Sequence, residues 1–160
     1  MAKVTERTIQ AALMWWTMEE KHHQFAIPNS GPHTFFGWES DLLSMTRAGL
    51  FHEFEIKLSQ GDYRRDFDKR YRHQELARTW NDYRWRPCYF WYVVHGFDPD
   101  PPPPDYAGLI VYDPSGFPSS KLRIERDAPR LSGRRLENGD FETASRILSY
   151  RLKNAYQNGL

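Results

Sequence analysis

Asp41, Glu55 and Lys57 are the residues whose types and spacing could do chemistry. Glu55 and Lys57 stand two apart. In a strand that spacing projects both side chains from one face, whereas in a helix they diverge. Thr46-Arg47-Ala48-Gly49-Leu50 fits a three-residue hairpin loop, with Gly49 at the position that needs a left-handed backbone. Thr46 then faces Leu50, and every other pair follows. Leu42 lies opposite Phe54, Ser40 opposite Ile56 and Trp38 opposite Leu58, a largely apolar face able to pack on the core. On the other face Asp41 lies opposite Glu55, and Glu39 opposite Lys57. Directly opposed side chains have Cβ atoms about 5 Å apart, where like charges destabilise. Asp41 against Glu55 is therefore a defect unless a proton or a cation sits between them. Hard carboxylate oxygens suit Mg²⁺ or Mn²⁺. Lys57 beside such an ion could orient or deprotonate a water, or stabilise charge on a phosphate.

An acid followed at a distance by Glu-x-Lys occurs by chance in almost any charged chain, so the weight rests on the strand context, the register and the opposed acids. Glu39 and Lys57 also read as a plain cross-strand ion pair, and Glu53 reads as a rim residue. After the hairpin, Asp62, Asp66, Lys69 and His73 are spaced four, three and four apart, one polar stripe on a helix. Tyr63 and Phe67 lie beside it and can pack inward. The stripe reads either as ordinary helical ion pairs or, beside a metal, as support for Lys57 and a contact for phosphates. His22 and His23 read as surface.

These residues need a scaffold. Thr5 reads as an N-cap, and Ile9, Ala12, Leu13 and Trp16 repeat at helical spacing, so residues 5 to 20 form an amphipathic helix. Pro28 to Pro32 reads as a loop. Strands are expected over Phe35 to Met45, Leu50 to Leu58, Cys88 to Val94, Ala107 to Tyr112 and Leu122 to Arg126. A long charged helix runs from Asp62 to about Trp80, and a second covers Phe141 to Ala155. The tract 98-DPDPPPPD-105 is an exposed polyproline loop, read as an insertion that could also take a protein partner. This alternation of helices and strands points to an α/β fold with a mixed sheet flanked by helices.

At 160 residues the chain suits one domain with a real core. The net charge of +1 hides local bias: Lys121 to Arg135 carries six basic residues against two acidic, and Asp62 to Arg86 eight against five. Both stretches read equally as solvated surface or as phosphate-binding patches. Cys88 is the only cysteine, which excludes an internal disulfide and a thiolate zinc cage; it reads as core. No apolar run approaches the roughly 20 residues needed to span a bilayer, and the charged N-terminus does not read as a signal peptide. A cytoplasmic protein without membrane partners is expected, in the host cytoplasm if phage-encoded. Trp80, Tyr83, Trp85 and Tyr89 read as sheet core or as platforms for unpaired bases.

Taken together, these residues resemble the PD-(D/E)XK nuclease superfamily, and within it the small phage and bacterial branch that includes MmcB-like DNA repair proteins. Asp41 and Glu55-Ile56-Lys57 match the Asp and Glu-x-Lys of its second and third strands. Glu6 in 5-TERTIQAAL-13 matches the acid of its first helix, and 39-ESDLL-43, 59-SQGDYRRDFDKRYRH-73, 106-YAGLIV-111 and 128-APRL-131 also look like the branch. The polyproline loop fits no part of the pattern. The resemblance implies a restriction-endonuclease-like αβββαβ core over residues 1–160, a Mg²⁺ or Mn²⁺ site and DNA as substrate. It implies that Asp41, Glu55, Glu6 and the carbonyl of Ile56 hold the metal. Lys57 would position the attacking water or neutralise developing charge. Glu39, Asp62, Asp66, Lys69 and His73 would support the site, while Arg64, Arg65, Arg72, Arg130, Arg134 and Arg135 track the DNA backbone. Endonucleolytic cleavage is favoured over exonucleolytic, and a homodimer is compatible with the fold. The superfamily also contains inactive binding modules, so a DNA-binding or host-interaction protein on this scaffold is the alternative.

Overall fold

A computed structural model describes residues 2–32, 34–78 and 86–159. Its centre is a six-stranded mixed sheet in the order β1-β2-β3-β4-β5-β6, formed by Phe25–Ser30, Ser40–Met45, Phe51–Lys57, Tyr89–Val94, Ala107–Tyr112 and Leu122–Arg126. β1, β2 and β3 pair antiparallel, β3-β4 and β4-β5 parallel, and β5-β6 antiparallel. Four α-helices accompany the sheet among the described residues: α1 (Glu6–Trp15), α2 (Gln60–Asp66), α3 (Arg70–Leu76) and α4 (Asn138–Gln157). The fold is α/β, as the order of elements predicts.

Both faces of the sheet are covered, which is what parallel strands require. On one face, Ile9, Leu13 and Trp16 of the first helix pack on Leu42, Phe54, Ile56, Trp91, Val93 and Ile110. The helix starts where expected: the Thr5 hydroxyl accepts from the Thr8 amide at 3.2 Å, and the Thr8 hydroxyl accepts from the Thr5 amide at 3.3 Å. It continues past Trp15 as one wider, π-type turn over Trp16–Glu20, where the Thr17 hydroxyl donates back to the Leu13 carbonyl at 2.8 Å. On the other face, Leu43, Met45, Phe51, Phe90, Tyr92 and Val94 meet Tyr63, Leu76 and Ala144 from α2, α3 and α4.

The hairpin forms in the expected register. Gly49 has φ +79°, the Thr46 amide donates to the Leu50 carbonyl at 3.0 Å, and Leu42–Phe54, Leu43–Glu53, Ser44–His52 and Met45–Phe51 are partners. The ladder then stops at Leu42–Phe54, short of the expected continuation to Trp38 and Leu58. Beyond it the strands part: Trp38 joins the opposite face of the core, and Leu58 is exposed.

Three segments differ from expectation. Phe35 to Glu39, expected as the start of a strand, lies outside β2, which begins at Ser40. Pro28 to Ser30 is not loop but the end of β1, an edge strand, which is where a proline can be tolerated. The long charged helix is broken: α2 ends at Asp66, Lys69 leaves helical geometry (φ −74°, ψ +61°), and α3 restarts at Arg70. Its expected far end at Trp80 lies outside the described residues, as do Tyr83 and Trp85. Tyr89 is half-buried, stacked on His52 with ring centroids 4.4 Å apart. Cys88 is buried, as expected of a core residue.

The proline tract is anchored along its backbone. Tyr63 Oη donates to the Pro101 carbonyl at 3.0 Å, and Arg126 Nη2 donates to the Pro103 and Pro104 carbonyls at 2.7 and 2.6 Å. Arg64 pairs with Asp100 at 2.9 Å. Pro101 and Pro102 remain exposed.

Candidate active site

Where β2 and β3 part, the backbone amide of Ile56 has lost its ladder partner. Asp41 Oδ2 accepts from it at 2.7 Å, which places the carboxylate between the two strands. The Asp41 carboxyl is pushed up to about 7, by burial first and then by the charge of Glu55, with a smaller contribution from Glu6. Asp41 and Glu55 lie beyond the last ladder pair and are not the register partners expected, although the charge of Glu55 still raises the Asp41 carboxyl. Glu6 is linked to the same place through Gln10, whose Nε2 donates to Glu6 Oε1 at 3.3 Å and to the Asp41 carbonyl at 2.9 Å. The same nitrogen reaches Asn29 Oδ1 at 2.9 Å.

Glu53, Glu55 and Lys57 alternate onto the face that α2 and α3 cover, and all three are buried. Lys57 Nζ lies 2.8 Å from Glu55 Oε1 and 3.0 Å from Asp66 Oδ1. Lys69 reaches the same two oxygens at 3.1 and 3.2 Å. Arg72 bridges them from behind, 2.7 Å from Glu55 Oε2 and paired also with Asp66 Oδ2. Tyr92 Oη donates to Asp66 Oδ2 at 2.7 Å, and His73 Nε2 lies 3.2 Å from that oxygen. His73 Nδ1 meets Tyr106 Oη at 2.6 Å.

Burial alone would raise the Asp66 carboxyl, yet the His73 hydrogen bond and the charges of Arg72 and Lys57 hold it well below the carboxylate range. Burial alone would likewise lower the Lys57 ammonium, but Glu55 and Asp66 raise it above its ordinary value. Lys57 is thus a fixed cation at neutral pH. Glu53 sits deeper, accepting from Trp38 Nε1 at 2.8 Å and Ser40 Oγ at 2.9 Å. Burial pushes its carboxyl up to about 8 against the opposing pull of Arg72.

Several expectations change with this geometry. Arg72 does not face solvent: it is 2% exposed and locked between two carboxylates, so it holds the site rather than tracking DNA. Glu53 is not a rim residue but fully buried, because α2 and α3 lie over its face. Glu39 is exposed and is not the partner of Lys57, which turns inward to Glu55 and Asp66. Asp62 stands apart from its stripe, 3.7 Å from Arg65 at the surface. Arg134 is paired with Asp140 at 2.8 Å and lies over the Phe51 ring at 4.5 Å, so it is structural. Arg64, Arg65, Arg130 and Arg135 are exposed; Arg130 Nε donates to the Ser132 carbonyl and Arg135 Nη1 to that of Ala48. His23 is half-buried rather than surface. Its Nδ1 meets Ser44 Oγ at 2.7 Å, and burial pushes it down to about 4. Tyr92, Gln10 and Trp38 carry no motif of their own; period-2 alternation alone would have placed Glu53 beside Glu55.

Among the described residues no three His, Cys, Asp or Glu side chains form a ready-made metal cage. The donor chemistry nevertheless fits a hard divalent cation. An ionised carboxylate has about four lone-pair sites. Glu55 uses three of them, on Lys57, Lys69 and Arg72, and Asp41 uses one, on Ile56. Both carboxylates retain oxygen lone pairs that a cation could use, while three basic side chains already surround Glu55.

No protein-family model matches the chain, and no match is found among curated proteins. Among solved structures it is similar to SPO1766, a protein of unknown function from Silicibacter pomeroyi. The TM-score is 0.60 at 14% identity, over 98% of this chain and 92% of that one. At that identity the likeness shows a shared fold.

Proposed function

We propose that this protein is a metal-dependent DNA nuclease of the PD-(D/E)XK kind, in the small branch that resembles MmcB-like DNA repair proteins, acting in phage or bacterial DNA processing. One observation carries the reading: where β2 and β3 separate, Asp41 accepts at 2.7 Å from the amide of Ile56, the residue between Glu55 and Lys57, which pair with each other at 2.8 Å. The element order supports it, since α1, three antiparallel strands, a helical crossover and a parallel β4 reproduce the αβββαβ succession that the resemblance implies.

Asp41 and Glu55 would hold Mg²⁺ or Mn²⁺, with the Ile56 carbonyl and Glu6 as further oxygen donors. The ion would polarise a phosphodiester and acidify a bound water. The protein's own groups define the rest. Lys57, kept protonated by Glu55 and Asp66, stabilises negative charge rather than removing a proton. Lys69, whose side chain is 54% exposed, extends the positive field from the buried pair to solvent. Asp66, Arg72 and Tyr92 hold Lys57 and Glu55 in place. Arg64, Arg65, Arg130 and Arg135 supply surface charge for a phosphate backbone.

A second reading has its own observation. Glu55 already makes three ion pairs, which suits a DNA-binding protein that keeps the scaffold without turnover. Purified protein incubated with linear, nicked, branched and single-stranded DNA, in Mg²⁺, Mn²⁺ or EDTA, separates the two. The nuclease reading expects cleavage in metal only. It also expects Lys57→Ala to lose cleavage by at least 100-fold while binding DNA in EDTA like the wild type. Binding without cleavage on every substrate leaves the second reading.

A further inference from the structure

Beside the buried ion cluster, a cavity of about 310 Å³ opens between the β1-β2 connection and α3, lined by Trp38, Glu39, Lys69, Arg70, Tyr71 and Arg72. That volume lies at the small end of ligand pockets. Lys69 belongs both to this wall and to the site, since its Nζ is 3.1 Å from Glu55 Oε1. Tyr71 is 54% exposed. It is braced nonetheless. The ring lies against Gly37, where an added methyl would come within 3.1 Å of Cε1, and Trp38 meets it edge-on at 6.2 Å. Trp38 in turn is fixed by Glu53. The result is a held ring, half open to solvent, with Lys69 and Arg70 immediately before it in sequence; Arg70 is exposed.

We infer that this pocket takes one unpaired nucleotide of a DNA strand, its base stacked on Tyr71 and its phosphate drawn to Lys69 and Arg70, so that the preferred substrate is single-stranded or carries a single-stranded segment. The inference rests on the nuclease reading for the identity of the ligand. Three features favour a nucleotide: an aromatic face, two cations next to it, and continuity through Lys69 with the acids proposed to handle the phosphodiester. Every base offers a π face, so such a platform binds without demanding sequence. Duplex DNA keeps its bases stacked inside and has none to offer. Glu39 is the carboxylate in the wall and sits exposed at the rim, where it disfavours a second phosphate.

The test is fluorescence anisotropy in EDTA, which removes turnover, with a labelled 12-nucleotide single strand, the same sequence as a duplex, and the same strand carrying abasic sites. The wild type is expected to bind the single strand more tightly than the duplex and the abasic strand. Tyr71→Ala should weaken single-strand binding by roughly 5- to 100-fold, the range of one base-aromatic stack, and leave duplex binding within twofold. Tyr71→Phe, which keeps the ring, should bind like the wild type. Unchanged single-strand affinity in Tyr71→Ala, or an equal loss on the duplex, overturns the inference. Cleavage with Tyr71-independent binding would overturn the pocket and spare the nuclease. Tyr71-dependent binding of single strands without cleavage in any metal would do the reverse.

Discussion

Asp41 is the residue on which the chemistry turns, because its proton competes with the proposed metal. With its carboxyl pushed up to about 7, half of it is protonated near neutrality. A cation binds the ionised form and displaces the proton. Magnesium affinity should therefore rise about tenfold per pH unit below 7 and level off above it. Calorimetric titrations at pH 6, 7 and 8 in buffers of different ionisation enthalpy check both the trend and the proton release, which should fall from nearly one proton at pH 6 to about half at pH 7 and little at pH 8. A pH-independent affinity would remove Asp41 from the metal shell. The charges of Lys57, Glu55 and Asp41 were legible because a hairpin is local: Gly49 sets the turn, the turn sets the register, and alternation sets the faces. The destinations of Arg72 and Glu53 were not, since a charged residue in a charged stretch carries no mark of which neighbour will cover it.

At the scale of elements, the break between α2 and α3 builds the site. In one continuous helix Asp66 and Arg72, six positions apart, would sit roughly 120° apart around the axis. The interruption at Phe67–Lys69 lets Arg72 fold back onto Asp66 and Glu55, and brings His73 under Asp66. No glycine or proline marks the break, so spacing alone reads straight through it. Asp66 is the node of this arrangement, with Lys57, Lys69, Arg72, His73 and Tyr92 all directed at it. Removing one partner of a buried ionic cluster leaves the others uncompensated. Asp66→Ala should lose about 3–5 kcal/mol of stability in urea denaturation, and Asp66→Asn less, because it keeps an acceptor for Tyr92. A loss below about 1 kcal/mol would mean that α2 and α3 are held by their apolar contacts alone.

For the whole molecule, the buried ionisable groups set a stability profile. Asp41 and Glu53 have folded values near 7 and 8, above their ordinary 3.8 and 4.5. The folded state thus binds more protons than the unfolded, and stability falls as pH rises through that range. His23 and His52 are pushed down to about 4 and about 3 by burial, from 6.5. They act in the opposite sense, losing stability as pH falls below 6.5. Between about pH 4 and 6.5 the two pairs nearly cancel; from about 6.5 to 8 only the carboxyls remain. Unfolding in EDTA should therefore show a plateau and then a fall of about 2 kcal/mol towards pH 8, read from urea midpoints across the range. Asp41→Asn should flatten the first part of that fall. No helix among the described residues is long and apolar enough to cross a membrane, which agrees with the absence of any long apolar run in the chain.

By itself, the sequence determined whatever depends on neighbours along the chain: the Thr5 cap, the hairpin and its pairing, the strands at Ala107–Tyr112 and Leu122–Arg126, and the shared direction of Glu55 and Lys57. Only the tertiary structure decided which of those residues lose their water. β1 over Pro28–Ser30, the helix break, the burial of Glu53 and the inward turn of Arg72 all follow from what is laid over the sheet. Covering is a property of packing between distant segments, and desolvation is what turns a surface charge into a locked ion pair or a shifted proton affinity.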